Sequence, residues 1–157
     1  MDGNGSPSVA DVIVILKTVV GLLPVVEWEQ DPPTPPDAVA AQIRARYQLL
    51  QEACERKDIV SLMSLVSLHY PQHGMYYDDF KQAFVSLFTD LDTITATFTV
   101  TRVTQDAANP KAAQVDFDGL IVGRNLQTGQ IERNDVGGTM DWYLEGGFWV
   151  MYGDQRR

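Results

Sequence analysis

The segment TITATFTVTRV, residues 93–103, alternates its side chains strictly. Ile94, Ala96, Phe98 and Val100 share one side of an extended chain, and Thr95, Thr97, Thr99 and Thr101 share the other. Such a strand has one face for a core and one for water. A slip of one residue would turn every apolar side chain outward, so the register is strongly specified. The next segment, AAQVDFDGLIVG at 112–123, predicts a second strand after a polar turn around Asn109 and Pro110. NLQTGQ predicts a hairpin loop in which Gly129 is free to take positive φ. A long strand is expected from about Ile131 to Glu145, bulged at Gly137 and Gly138. EGGF then turns the chain into a last strand, Phe148 to Gly153.

Pairing across that final turn predicts which faces are buried. If Glu145 opposes Phe148, then Leu144 opposes Trp149 and Trp142 opposes Met151. Leu144, Trp149, Trp142 and Met151 then share one face, expected to lie in the core. Tyr143, Phe148, Val150 and Tyr152 share the other, which is too apolar to stand free in water. A homodimer through the sheet is the expected cover.

Helical spacing precedes the strands. Asp37 can cap a helix that carries Val39, Ile43, Tyr47, Leu50 and Cys54 and ends near Arg56. Asp58 can cap a second helix with Ile59, Leu62, Met63 and Val66, which Pro71 and Gly74 terminate. Asp78 can cap a third, whose Phe80, Ala83, Phe84, Leu87 and Phe88 follow the spacing of a buried face. Three helices followed by four antiparallel strands predict an α+β fold. Residues 27–37, EWEQDPPTPPD, place four prolines in five positions and read as a semi-rigid linker. They divide an N-terminal piece, residues 1–26, from a domain at 38–157.

The chain has 157 residues, 45% of them hydrophobic, which fits one ordinary domain with a small appendage. A net charge of −9 repels phosphate backbones and excludes nucleic acid as the expected partner. Lys17 and Pro24 interrupt the apolar stretch Val12 to Val26, which is shorter than the roughly 20 residues of a membrane span. Acidic Asp2 and Asp11 replace the basic start of a signal peptide, so neither membrane insertion nor a leader is expected within this stretch. Cys54 is the only cysteine, so no internal disulfide is possible, and its helical setting predicts a small buried apolar residue.

The order of elements, the hairpin LQTGQIERND and the ending MDWYLEGGFWVMYGDQ resemble the nuclear transport factor two-like superfamily, over about residues 38–155. The tryptophans on either side of the last turn, Trp142 and Trp149, match that family's terminal hairpin. The resemblance implies a curved sheet wrapped around a helix, a cone with a pocket, and frequent dimerisation through the sheet. It covers isomerases, dehydratases, cyclases and non-catalytic binding modules, so it implies a fold more than an activity.

The opening DGNGSPSVAD resembles the dockerin repeat, a half EF-hand of exported bacterial proteins. The resemblance puts Asp2, Asn4, Ser6 and Asp11 on calcium-ligand positions, with Gly5 on the loop glycine. The first ligand position would precede Met1, so calcium is expected only in a longer form, and no cofactor is expected of the chain as it stands. The segment implies a protein partner and an exported or extracellular setting for such a longer form, and a cytoplasmic one if the chain is complete. Its helix, residues 9–23, is expected to dock on the cone domain or on a second copy.

Candidate pocket residues are Tyr47, His69, His73, Tyr76, Asp116, Asp118 and Trp142. His69 and His73 have the i, i+4 spacing of two zinc ligands, but Pro71 between them breaks the helix, and a loop at the mouth of the cone is expected. Tyr47 resembles the hydrogen-bonding tyrosine of ketosteroid isomerases, yet the carboxylate base that such enzymes carry just after the second helix has no match in LHYPQHGMYYDD, where no acid comes before Asp78. Asp116 and Asp118 could do acid–base work if buried beside a ligand; solvated carboxylates are the plainer reading. The expected function is therefore a non-catalytic module that binds an unidentified small ligand or serves assembly. The alternative is an isomerase, dehydratase or cyclase using a pocket histidine or aspartate. The contents of the cone decide between them: converging polar groups favour an enzyme, apolar walls a module.

Overall fold

The computed structural model describes residues 36–154. The N-terminal piece, most of the linker, the candidate ligands Asp2, Asn4, Ser6 and Asp11 and the helix expected at 9–23 lie outside the described residues. Among those described, no helix is long and apolar enough to cross a membrane.

Helix α1, Pro36–Glu55, buries Val39, Ile43, Tyr47, Leu50 and Cys54, the face its spacing predicts, and Ala53 with them. Helix α2, Ile59–Met63, is a short turn capped by Asp58, whose carboxylate accepts from the backbone N–H groups of Val60 and Ser61. A two-residue hairpin follows, β1 at Pro71–Gln72 and β2 at Met75–Tyr76, where a plain loop was expected. His73 and Gly74 turn it, with φ of +49° and +80°. Helix α3, Tyr77–Asp90, starts one residue before the expected cap Asp78. It is the carboxylate of Asp79 that reaches back to accept from the Tyr76 N–H.

Four antiparallel strands then form one open sheet in the order β3-β4-β5-β6: β3 Leu91–Gln105, β4 Ala112–Asn125, β5 Ile131–Glu145 and β6 Phe148–Gly153. The fold is α+β, as the order of elements predicts. Ile94 and Ala96 are buried, Phe98 and Val100 are half-buried, and the four alternate threonines are exposed. The alternation would fail at Val103, but a register shift between Val100 and Arg102 returns Val103 to the core side. The last hairpin has the predicted register, Glu145 opposite Phe148, Leu144 opposite Trp149 and Trp142 opposite Met151. Trp142, Trp149 and Met151 are 0%, 3% and 2% exposed. The Trp149 indole also donates to Gln42 Oε1 of α1 at 3.0 Å, which fixes the helix against the sheet.

Two details depart from expectation. Pairing runs unbroken through Gly137 and Gly138, so no bulge forms there. Gly138 instead takes φ +132°, which side chains resist. The second apolar stripe is also less open than its composition predicts: Val150 and Tyr152 are buried, Tyr143 is half-buried, and Phe148 alone is exposed, beneath the Arg46 guanidinium.

Candidate functional site

The concave side of the sheet, α1 and α3 enclose a cavity of about 340 Å³. Tyr47 and Leu50 reach it from α1, Phe80 and Phe84 from α3, and Gln72 from β1. The sheet supplies Phe98, Phe117, Ile121, Val136, Met140 and Met151, with Asp135 and Gly137 at its edge. Gly119 shapes this wall. A Cβ there would sit 2.7 Å from the Phe98 ring and 2.8 Å from Val136, so only glycine lets the ring lie on β4.

Tyr47 is the deepest polar group. Its ring stands 5.1 Å from Phe117 and 5.2 Å from Trp142, centroid to centroid, and the residue is 2% exposed. Burial pushes the phenol pKa well above its usual range. The Trp142 N–H opposes part of that rise, yet makes no hydrogen bond of ordinary geometry with the hydroxyl. The Tyr47 hydroxyl and the Trp142 Nε1 are both buried without a partner. A protonated phenol of this kind donates a hydrogen bond; it does not act as a base.

Gln72 is the second polar group. Its amide oxygen accepts from the Tyr70 hydroxyl, and Tyr70 is 1% exposed with its ring 4.8 Å from Phe80. Asp135 faces away from the cavity, because it opposes Leu120 on the outer face and pairs with Arg133 at 3.2 Å.

The other sequence candidates do not join this group. Asp116 and Asp118 leave β4 on the outer face. Asp116 accepts from Arg102 at 2.7 Å and from Thr139 at 2.7 Å, and these bonds hold its carboxyl below the usual range. Asp118 is exposed. His69 is exposed, and His73 lies on the hairpin turn beside Asp154, Nε2 to Oδ2 3.2 Å. Tyr76 is 64% exposed. Only Tyr47, with Trp142 against it, belongs to the cavity. Sequence reasoning missed Gln72 and Tyr70. Their one legible signal was the polar-aromatic run HYPQHG, and no periodicity placed it in a pocket. Among the described residues no three His, Cys, Asp or Glu side chains gather as metal ligands.

No protein-family model and no curated protein matches the chain. Solved structures do. A nuclear transport factor two-like superfamily protein of Salmonella enterica superposes with a TM-score of 0.64 at 12% identity, over 74% of this chain and 88% of that one. The fold is that of the nuclear transport factor two-like proteins. A ketosteroid isomerase-like protein of Erwinia carotovora superposes with a TM-score of 0.58 at 18% identity, over 72% and 90% of the two chains. A hexachlorocyclohexane dehydrochlorinase of Novosphingobium barchaimii gives 0.57 at 12%, over 74% and 83%. At these identities the nuclear transport factor two-like likeness is one of fold.

Proposed function

We propose that this domain is a non-catalytic module that binds a small, neutral, largely apolar molecule in its cone. The observation that carries the reading is the lining of the cavity: aromatic and aliphatic walls around one unpartnered, protonated phenol at Tyr47. Apolar walls with a few placed polar groups are the usual make-up of a ligand pocket. The acids and bases expected from the sequence, His69, His73, Asp116 and Asp118, stand outside the cavity, and Asp135, at its edge, opposes Leu120 on the outer face and pairs with Arg133. A lining without Lys or Arg also disfavours a carboxylate ligand.

The competing reading is an isomerase, dehydratase or cyclase, which the ketosteroid isomerase-like and dehydrochlorinase neighbours favour at the level of fold. Attachment of the domain through its dockerin-like N-terminal segment, export of a longer form, and dimerisation through the sheet remain proposals from sequence.

A planar ketone, 1-tetralone, separates the two readings. The module should bind it saturably at one site in a calorimetric titration, and Tyr47→Phe should weaken binding several-fold, the worth of about one neutral hydrogen bond. In deuterium oxide the bound ketone should exchange its α-hydrogens no faster than the free ketone. Faster exchange would establish acid–base chemistry in the cone and replace this reading with the enzymatic one. Absence of saturable binding would refute the module.

A further inference from the structure

We infer that Gln72 is a second, specificity-determining contact of the cavity, and that the ligand carries two hydrogen-bond acceptors on an apolar body. The inference rests on the binding reading above and adds the chemical class of the ligand: a planar neutral molecule with two carbonyl-type oxygens, such as a quinone.

Gln72 reaches the cavity from β1, and Tyr47 reaches it from α1. Its amide is held from behind. The Tyr70 hydroxyl is buried and protonated, and Gln72 Oε1 is the acceptor the structure gives to its proton. The reverse orientation of the amide would leave that buried proton without its acceptor, at the cost of an unsatisfied donor. With the oxygen engaged, the NH2 group is what Gln72 has to offer, and no hydrogen bond within the described residues uses it. The backbone beneath is equally fixed. The carbonyl of Pro71 accepts from the Asp154 N–H at 3.2 Å, and a side chain at Gly153 would strike that same carbonyl.

The cavity therefore offers two donors from two separate elements, Tyr47 buried and Gln72 half-buried, beside phenylalanine, isoleucine and methionine side chains. Neither donor has a partner of its own on the cavity side. A donor that a bound ligand covers and leaves unmatched disfavours a ligand that lacks the acceptor, so both groups discriminate. Tyr70 acts as a positioning residue, because it touches Gln72 and not the ligand.

The test compares 2,3-dimethylnaphthalene with 2,3-dimethyl-1,4-naphthoquinone, whose ring carbons are blocked against addition of thiols. Both are titrated into the wild-type chain, Gln72→Leu, Gln72→Met and Tyr70→Phe. The quinone should bind the wild type more tightly than the hydrocarbon. Gln72→Leu and Gln72→Met should each weaken the quinone about three- to tenfold, the range of one neutral hydrogen bond, and leave the hydrocarbon unchanged. Tyr70→Phe should weaken the quinone by a smaller factor and also spare the hydrocarbon. Equal losses for both ligands would mean that Gln72 only shapes the wall, and unchanged quinone binding would mean that it makes no contact; either result overturns the inference and leaves the module reading intact. If neither the quinone nor the hydrocarbon binds the wild type saturably, the module reading falls and this inference with it.

Discussion

Trp149 joins the last strand to the first helix through its N–H, which donates to Gln42, and is itself part of the buried core. Trp149→Ala should therefore destabilise the domain by roughly 3–5 kcal/mol, as removal of a large buried aromatic does, read from denaturant midpoints. Its role was legible, since the register across EGGF follows from counting back from a two-residue turn. Cys54 was legible as well. It is fully buried, and burial pushes its thiol up to about 12. A disulfide reagent at pH 8 should leave Cys54 untouched in the native protein and react once denaturant is added; reaction in the native state would contradict its place in the core. Asp58 and Asp116 carry the acid side of stability. Hydrogen bonds, from Ser61 for one and from Thr139 and Arg102 for the other, hold both carboxyls below their usual range. A depressed folded pKa means that the unfolded chain takes up the proton first as pH falls. Their contribution is thus present above the ordinary carboxylate pKa and is lost as pH drops through the folded value. Melting temperatures of Asp116→Asn should fall below wild type at pH 7 and converge with it near pH 2. Asp116 itself could not be placed by its sequence, because i, i+2 spacing on a strand says that two acids share a face without saying which face.

Helix α3 is where periodicity reads the pattern and misses the packing. Phe80, Phe84, Leu87 and Phe88 have the spacing of a buried stripe, yet α3 contains no buried residue and Ala83 is exposed. Spacing reports which side chains share a face; it does not report how much material the opposite side supplies. Here Phe80 and Phe84 face a cavity, and the rings follow one another in tilted and edge-on contact, Phe80 to Phe84 at 5.0 Å and Phe84 to Phe88 at 5.9 Å. Two truncations should differ accordingly. Ile43→Ala in α1 should cost about 2–5 kcal/mol, the range for a closed core site, and Phe84→Ala should fall below the 3–5 kcal/mol typical of a buried phenylalanine. Amide exchange by mass spectrometry should also run faster in α3 than in α1, since fewer apolar contacts hold it. Equal protection in the two helices would show that α3 is as firmly seated as the core. The strands fared better because alternation marks their faces, and the irregular spacings in β3, Leu91 to Ile94 and Val100 to Val103, are absorbed by register shifts that alternation alone cannot announce.

At the scale of the whole domain, helices, strands and their order were readable in the sequence, while the contents of the cone were not. Its lining comes from α1, the short hairpin, α3 and all four strands of the sheet, far apart in the chain, and no local pattern assembles them. The central claim is that a small neutral molecule occupies that space. Methionine methyl groups labelled with carbon-13 test it most directly, because Met140 and Met151 line the cavity while Met63 and Met75 do not. In a titration with 1-tetralone followed by methyl NMR, the Met140 and Met151 signals should shift together along one saturable curve, with Met75 unmoved. Saturable shifts at Met63 or Met75 in place of the cavity pair, or no saturable shift at any of them, would contradict the account.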